Sequence, residues 1–168
     1  MAAAGIMVNQ YQIQHGFEDA DRATIVTLLR EYETALGVSL CFQDFDAEIA
    51  SLPGAYAPPG GQMLLARDPS SHALVGCVAL RPADGQPGTC EMKRLYVRPQ
   101  ARGTGLGRHL ALAVMDEARR LGYRRMFLDT LPKLHEARTL YQTLGFREIG
   151  MAGTDPVVVL YERDLSSP

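Results

Sequence analysis

The most constraining feature of the sequence is a glycine-rich loop that separates a strand-like run from a helix-like run. The strand-like run covers residues 89–97, and the loop reads Arg-Gly-Thr-Gly-Leu-Gly-Arg over residues 102–108. Apolar side chains then recur at helical spacing as far as Gly122, and a second strand-like run covers residues 125–130. The order strand, loop, helix, strand predicts a right-handed crossover between two parallel strands.

Further strand-like and helix-like runs lie on both sides of this unit. The periodicity predicts strands over residues 11–14, 62–66, 73–80, 147–149 and 157–165, and helices over residues 25–36, 44–51 and 134–144. Gly37, Gly122 and Gly145 each follow a helix-like run, as is usual at helix C-termini. These elements predict an α/β fold in which a mixed, mostly antiparallel sheet of six to seven strands is flanked by about four helices.

Length and composition indicate one folded domain over residues 1–168. The chain has 46% hydrophobic and 21% charged residues, which is typical of a globular protein. The net charge of −2 argues against nucleic acid as a partner. No apolar run approaches the roughly 20 residues that span a bilayer, and residues 1–8 lack the basic start and apolar core of a signal peptide. We therefore expect no membrane partner and a cytoplasmic location.

The cysteines and histidines predict neither a disulfide framework nor a metal site. The three cysteines include no Cys-x-x-Cys pair, and the four histidines show no HxxxH or HExxH spacing. Cys90 adjoins Glu91 but has no identifiable histidine partner, which argues against a nucleophilic cysteine. We expect reduced, mostly buried cysteines and no metal ion.

The glycine loop has the chemistry of a phosphate site. Glycines allow close approach of a ligand to the backbone, and N–H groups at the start of a helix have no partner within the helix. Arg102 and Arg108 can add charge-assisted contacts to a bound diphosphate. A nucleotide triphosphate loop would end in Gly-Lys-Ser/Thr, and a dinucleotide fingerprint would need glycine where Arg108 stands, so the sequence fits neither of these motifs.

The loop instead matches the pattern Arg/Gln-x-x-Gly-x-Gly/Ala over residues 102–107. It follows Cys-Glu-Met-Lys-Arg-Leu-Tyr-Val at residues 90–97 and precedes Ala-Arg-Thr-Leu-Tyr-Gln-Thr-Leu-Gly-Phe at residues 137–146. In these three segments, taken in order, the chain resembles the GNAT superfamily of acetyltransferases. The resemblance covers residues 62–149 well. One departure is Leu134, where members of the family often carry asparagine.

The resemblance implies a GNAT-type fold and acetyl-CoA as co-substrate. In the family, the pantetheine arm of the cofactor pairs with the backbone of a strand that splays from its neighbour, and the loop holds the diphosphate. The residues that the resemblance assigns to cofactor binding are Leu95, Tyr96, Val97, Arg102, Gly103, Thr104, Gly105, Leu106, Gly107 and Arg108.

Glu91 is the candidate for accepting a proton from the amine substrate, because it matches the base of some family members. Regular strand alternation predicts that it faces the same side as Leu95 and Val97. The alternative interpretation is an exposed strand glutamate that pairs with Lys93 or Arg94.

Tyr141 matches the family tyrosine that lies near the sulfur of the cofactor and protonates the departing thiolate. A phenol with a pKa near 10 is a suitable acid for a thiolate with a pKa near 8.5 or above. The alternative, a helix tyrosine that packs its ring in the core, is compatible with this role.

The sequence thus predicts an acetyl-CoA-dependent N-acetyltransferase that acts on a primary amine of a small molecule or peptide through a ternary complex. The alternative is a catalytically silent acyl-CoA-binding sensor or protein-interaction module. The identity of the amine, the preferred acyl chain and the oligomeric state, a homodimer included, are left open at this point.

Overall fold

The computed structural model describes residues 5–167, so Met1 to Ala4 and Pro168 of the predicted domain lie outside the described residues. Within this range, eight strands form one sheet in the order β1-β2-β3-β4-β5-β6-β8-β7. The strands are β1 Ile6–Val8, β2 Tyr11–His15, β3 Gln62–Arg67, β4 Leu74–Pro82, β5 Thr89–Val97, β6 Arg125–Thr130, β7 Arg147–Ala152 and β8 Val158–Asp164. The α-helices are α1 Arg22–Leu36, α2 Phe45–Ala50, α3 Leu106–Arg120 and α4 His135–Thr143.

The pairing of the strands confirms the predicted fold class. β5 and β6 are parallel and are joined through α3, as the strand-loop-helix-strand order predicts. The other neighbouring pairs in the described sheet are antiparallel. The sheet is therefore mixed and mostly antiparallel, and it is flanked by four α-helices.

The described sheet has eight strands instead of the predicted six to seven, because the sequence analysis missed β1. This strand is three residues long and pairs with β2 across a two-residue turn, Asn9-Gln10. Asn9 adopts a φ angle of 53°, which asparagine tolerates better than most residues. Ile6 and Met7 are 60% and 57% exposed, so this edge strand lacks the buried face that makes a strand recognisable in a sequence.

The helices cover both faces of the sheet. α3 and α4 pack on one face, where Leu110 and Tyr141 join the larger apolar cluster. α1 and α2 pack on the other face, where Leu28 and Phe45 join a second cluster. The sheet thus separates two apolar layers, and any site that connects them must pass between strands.

β5 and β6 separate soon after they begin. Their pairing covers only Thr89, Cys90 and Glu91 on β5. Beyond Glu91, the edge of β5 that faces β6 has no strand partner among the described residues. A wedge-shaped opening therefore lies in the middle of the sheet.

A bulge at Arg94 accompanies this separation. Between the pairs Cys77–Tyr96 and Ala79–Lys93, one residue of β4 faces two residues of β5. Arg94 is one of these two and has a φ angle of 60°, in the left-handed region. A bulge bends its strand and shifts the alternation of side chains by one residue.

The prediction that Glu91 faces the same side as Leu95 and Val97 is wrong, and the bulge is the reason. Cys90 and Met92 join the apolar cluster under α3 and α4, so Glu91, which lies between them, points to the opposite face. Leu95 and Val97 pack on the α3 and α4 side. Because of the extra residue between Glu91 and Leu95, these two side chains lie on opposite faces of the sheet, whereas in a regular strand they would share one face.

Candidate active site

The glycine loop connects a short 3-10 turn after β5 to the start of α3. Gly103 and Gly105 adopt φ angles of 75° and 80°, in the region that favours glycine. The Thr104 hydroxyl donates a hydrogen bond of 2.7 Å to the carbonyl oxygen of Ala101 and holds the turn. The backbone N–H groups of residues 103–108 donate to no other residue within the described chain. They form a row of free donors at the N-terminus of α3, which is the arrangement that binds phosphate.

The two arginines of the loop lie at its exposed surface. The Arg102 Nε donates to the carbonyl oxygen of Val97 at 2.9 Å, and its guanidinium carbon lies 5.8 Å from the centre of the Tyr96 ring. The Arg108 Nη1 donates to the Thr143 Oγ1 at 3.2 Å. Both cations therefore lie beside the free N–H groups, where they add to the positive potential of the helix terminus.

Leu106 and Gly107 have different parts in the loop from the arginines. Leu106 is only 2% exposed and its side chain belongs to the apolar core, so a direct polar contact with a ligand could come only from its backbone N–H. A Cβ atom on Gly107 would lie 3.8 Å from the Val97 Cγ2, an ordinary contact that shows how closely α3 approaches the end of β5. The core thus fixes the position of the loop.

A groove leads away from Arg102 along the end of β5, between α1 and α4. Its lining includes Tyr32, Leu36, Leu95, Tyr96, Val97, Lys133, Leu134, Ala137 and Leu140. The three β5 residues that the sequence analysis assigned to cofactor binding therefore line one continuous channel with Arg102. Leu134 also lines it, at the position where the family often carries asparagine.

The groove continues into the opening between β5 and β6. Tyr32, Leu95 and Ala137 line both the groove and the opening. The inner part of the opening reaches Lys93 on β5 and Asp129 on β6. A path therefore runs from the glycine loop, along the end of β5, into the middle of the sheet.

Tyr141 of α4 lines the opening. Its ring lies edge-on to Phe146 with 5.9 Å between the ring centres, and 6.2 Å from the centre of the Tyr161 ring. Burial raises the pKa of Tyr141 above its usual range, and the nearby Tyr32 and Asp129 raise it further. The phenol is therefore protonated at neutral pH, as a proton donor must be.

Glu91 lies next to the opening and does not line it. Its Oε2 accepts hydrogen bonds from the Arg81 Nη2 at 3.0 Å and from the Arg81 Nε at 3.2 Å. Arg81 and Glu91 are direct partners across β4 and β5, so the ion pair forms within the sheet, with neither Lys93 nor Arg94 involved. The Glu91 side chain is 28% exposed, so water reaches the carboxylate.

Asp129 is the carboxylate that the opening contains, and the sequence analysis missed it. Its Oδ1 accepts a hydrogen bond of 3.1 Å from the Lys93 Nζ, and its Oδ2 accepts one of 2.9 Å from the Gln43 Nε2. Asp129 stands near the carboxyl end of a parallel strand, where ligands bind in open α/β sheets. That position is the signal by which the sequence could have revealed it.

Arg94 completes a polar cluster on the same side of the sheet. Its guanidinium donates to both carboxylate oxygens of Glu48, at 2.9 and 3.0 Å, and to the Gln43 Oε1 at 2.8 Å. The same Gln43 oxygen accepts from the Lys93 Nζ at 3.1 Å. We call Gln43, Glu48, Lys93, Arg94 and Asp129 the polar cluster. It holds two cations and two carboxylates, and all of its members except Glu48 line the opening.

The described residues 5–167 lack two further features. In this part of the chain, no three His, Cys, Asp or Glu side chains are grouped so that they could hold a metal ion. None of its helices combines the length and apolar character needed to cross a membrane.

A row of free N–H donors, a groove and an interior opening with a phenol and a carboxylate are features that a group-transfer enzyme with a phosphate-bearing carrier needs. The model of the acetyltransferase (GNAT) family matches residues 22–146. The chain therefore belongs to the GNAT acetyltransferase family, and it is an acyltransferase.

Similar proteins are found in distant organisms. An uncharacterized N-acetyltransferase of Schizosaccharomyces pombe is 48% identical over 120 residues, which cover 71% of this chain and 72% of that protein. The uncharacterized N-acetyltransferase YjgM of Escherichia coli is 30% identical over 135 residues, covering 79% and 80%. The structure of yncA of Salmonella typhimurium, solved with its cofactor acetyl-CoA, has a TM-score of 0.73 at 24% identity and covers 95% of this chain and 96% of that one.

The cysteines should differ in their reactivity. Cys41 is exposed, whereas burial raises the pKa of both Cys77 and Cys90 to about 12. A thiol with that pKa is ionised in about one molecule in ten thousand at pH 8. We expect an aromatic disulfide reagent to modify one thiol rapidly in the folded protein. Cys41→Ser should remove this reaction and Cys77→Ser should not, while rapid modification of a second thiol would contradict the described burial.

Proposed function

We propose that this enzyme transfers the acetyl group of acetyl-CoA directly to a primary amine of a small molecule or peptide, in a ternary complex. The observation that carries this proposal is the continuous path from the free N–H groups of residues 103–108, along Leu95 to Val97, to the Tyr141 phenol. Bound CoA would supply an acyl group already activated as a thioester. The residues of the chain bind, orient and move protons.

The loop fits the diphosphate of CoA. Its free N–H groups and the N-terminal end of α3 favour an anion, and Arg102 and Arg108 add two cations beside it. Among the described residues, nothing lies within 4 Å of where a side chain on Gly103 would begin. This open space gives a phosphate unobstructed access to the backbone.

The end of β5 fits the pantetheine arm. The arm carries amide groups, and the backbone of β5 beyond Glu91 offers donors and acceptors along an edge without a strand partner among the described residues. Leu95 and Ala137 provide apolar walls on the two sides of the groove. Pairing with this edge would carry the thioester into the opening.

Tyr141 is placed to protonate the departing thiolate of CoA. Its raised pKa keeps the phenol protonated at neutral pH but also makes it a weaker acid than a free tyrosine. The transfer therefore requires that the sulfur develop its negative charge within hydrogen-bond distance of the hydroxyl group as the C–S bond breaks. The packing of its ring against Phe146 and Tyr161 fixes the orientation of the hydroxyl group. Packing and catalysis therefore use the same residue.

The amine must lose a proton before it can attack. A primary ammonium with a pKa near 10.4 lies about 3.4 pH units above neutrality, which corresponds to roughly 4.6 kcal/mol. We assign this proton to Glu91, and its position beside the opening requires that a water molecule carries the proton to it. Asp129, which lies inside the opening, binds the ammonium form of the substrate.

Direct transfer is favoured over an acyl-enzyme because no cysteine of the described residues lines the opening. Cys77 and Cys90 are buried with strongly raised pKa values, and Cys77 donates a hydrogen bond to the carbonyl oxygen of Arg94. A protonated, buried thiol is a poor nucleophile. The amine therefore attacks the thioester without a covalent intermediate on the protein.

Gly105→Val should weaken CoA binding by at least about tenfold, because valine is strained at a φ angle of 80° and relief of that strain would move the loop. Gly122→Val is the matched control, since Gly122 has a φ angle of 89° at the other end of α3. Calorimetry should show weakened CoA binding for Gly105→Val alone, with similar losses of thermal stability. Normal CoA affinity of Gly105→Val would show that the loop is wrongly assigned.

Tyr141→Phe should lower kcat by about a hundredfold and change CoA affinity little, because general acid catalysis typically contributes about 10²–10⁴. The measurement is release of free CoA from acetyl-CoA across a panel of amines and basic peptides. Tyr161→Phe is the control, because the Tyr161 hydroxyl accepts a hydrogen bond from Arg138 outside the opening. Equal effects of the two substitutions would assign Tyr141 to packing alone.

Glu91→Gln should lower kcat by at least about tenfold if Glu91 receives the proton of the amine. Arg81→Met separates this function from the ion pair, because it breaks the same pair and leaves the carboxylate in place. We expect turnover to fall strongly in Glu91→Gln and weakly in Arg81→Met, measured as kcat at saturating amine. Similar losses in both variants would mean that the pair only stabilises the sheet.

A further inference from the structure

We propose that the acceptor of this enzyme carries an acidic group close to its primary amine, as an amino acid does. This inference rests on the proposed function and narrows the class of amine that the opening accepts. The amine binds to the Asp129 carboxylate, and the acidic group binds to the Lys93 ammonium. A simple alkylamine, a polyamine or a basic peptide satisfies only the first of these contacts.

The first observation is that the inner end of the opening presents both charges side by side. The Lys93 Nζ lies 3.1 Å from the Asp129 Oδ1, and both residues line the opening together with Tyr141. The Gln43 side chain forms hydrogen bonds to both partners and helps to hold them in place. An amine that approaches Asp129 therefore also comes within reach of Lys93.

The second observation is that one N–H donor of the Lys93 ammonium has no hydrogen-bond partner among the described residues. The ammonium has three N–H groups, and two of them are used by the Gln43 Oε1 and the Asp129 Oδ1. The third has no acceptor among the described residues, although the side chain is only 5% exposed. A buried donor without a partner is costly, and an anionic group in the opening would satisfy it.

Arg94, the other cation of the polar cluster, is not available in this way. Its guanidinium is held by both oxygens of Glu48 and by Gln43, and its side chain is 2% exposed. It also stacks over the Phe45 ring, with its central carbon 4.8 Å from the ring centre. The cation that can receive an anion is therefore Lys93.

The third observation is the balance of charge. Glu48 and Arg94 form one ion pair of the polar cluster, and Lys93 and Asp129 form the other. An ammonium that arrives alone would place a third cation in a buried site beside Lys93. An acceptor with its own acidic group brings equal and opposite charges, and each finds a partner. Burial also lowers the pKa of Lys93, which an incoming anion would counteract.

The test compares each amino acid with its own amide, which keeps the amine and removes the negative charge. Pairs such as glycine and glycinamide, or β-alanine and its amide, are assayed with a polyamine by release of CoA from wild-type enzyme and acetyl-CoA. Each kcat/KM is divided by the fraction of neutral amine. We expect the acids of the preferred pair to lead by at least about tenfold, which corresponds to about 1.4 kcal/mol.

The outcomes separate this inference from the proposed function. If amides or polyamines are acetylated as well as the acids or better, the enzyme is an N-acetyltransferase and the acidic-acceptor inference is wrong. If CoA binds but no amine of either kind is acetylated, the proposed function fails and this inference fails with it.

Substitution of Lys93 tests which residue reads the acidic group. Lys93→Gln removes the charge and keeps polar contacts, and Lys93→Arg keeps a positive charge on a larger, planar group. We expect the ratio of kcat/KM for acid over amide to fall about tenfold in Lys93→Gln and to stay well above one in Lys93→Arg. The circular dichroism spectrum and the thermal unfolding midpoint report whether each variant is folded. An unchanged ratio in folded Lys93→Gln would exclude Lys93 as the anion site.

Discussion

The separation of β5 from β6 after Glu91 is the constraint on which the rest of the site depends. Three paired residues join the two strands at one end, and the bulge at Arg94 bends β5 beyond them. The gap leaves the β5 backbone without a strand partner in the described sheet and connects the two apolar layers. A single local irregularity thus creates both an edge for the arm of the cofactor and an opening for the chemistry.

The bulge also decides which side chains the opening receives. In a regular strand, Lys93 and Arg94 would point to opposite faces, but the extra residue turns both toward Gln43 and Glu48. Two adjacent cations on one buried face need two carboxylates to balance them. At an effective dielectric constant of 20, a unit pair at 4 Å interacts by about 4 kcal/mol, so each of these pairings matters for the site. The bulge in the backbone therefore determines which charged side chains the site contains.

Much of this arrangement could be predicted from the sequence, and the exceptions share a cause. Gly37, Gly122 and Gly145 mark helix ends because few other residues adopt left-handed backbone angles there. The glycine loop can be recognised in the sequence for the same reason. The face of the sheet to which the Glu91 side chain points could not be predicted. A bulge inserts one residue without a compositional signal, and the alternation of apolar and polar residues does not reveal it.

Asp129 escaped the sequence analysis for a related reason. The run Arg-Met-Phe-Leu-Asp-Thr of β6 resembles any half-buried strand, and nothing within it shows that its neighbour β5 turns away. Whether a strand carboxylate lies in an opening or on a surface depends on a partner strand about 35 residues earlier in the chain. Local patterns therefore indicate the proposed cofactor loop, which is built from adjacent residues, more readily than the proposed acceptor end, which is built from four separate elements.

The polar cluster also answers a difficulty in the chemistry. A carboxylate that binds the ammonium of the substrate raises the pKa of that amine and so opposes the loss of its proton. Asp129 does not act on the amine alone, because Lys93 and Gln43 already occupy its two oxygens. Shared in this way, the carboxylate still attracts the amine into the opening but stabilises its charge less. In the proposed mechanism, Tyr141, which the same surroundings keep neutral, supplies a proton only as the thiolate departs. The opening thus binds a cation without holding it too firmly to react.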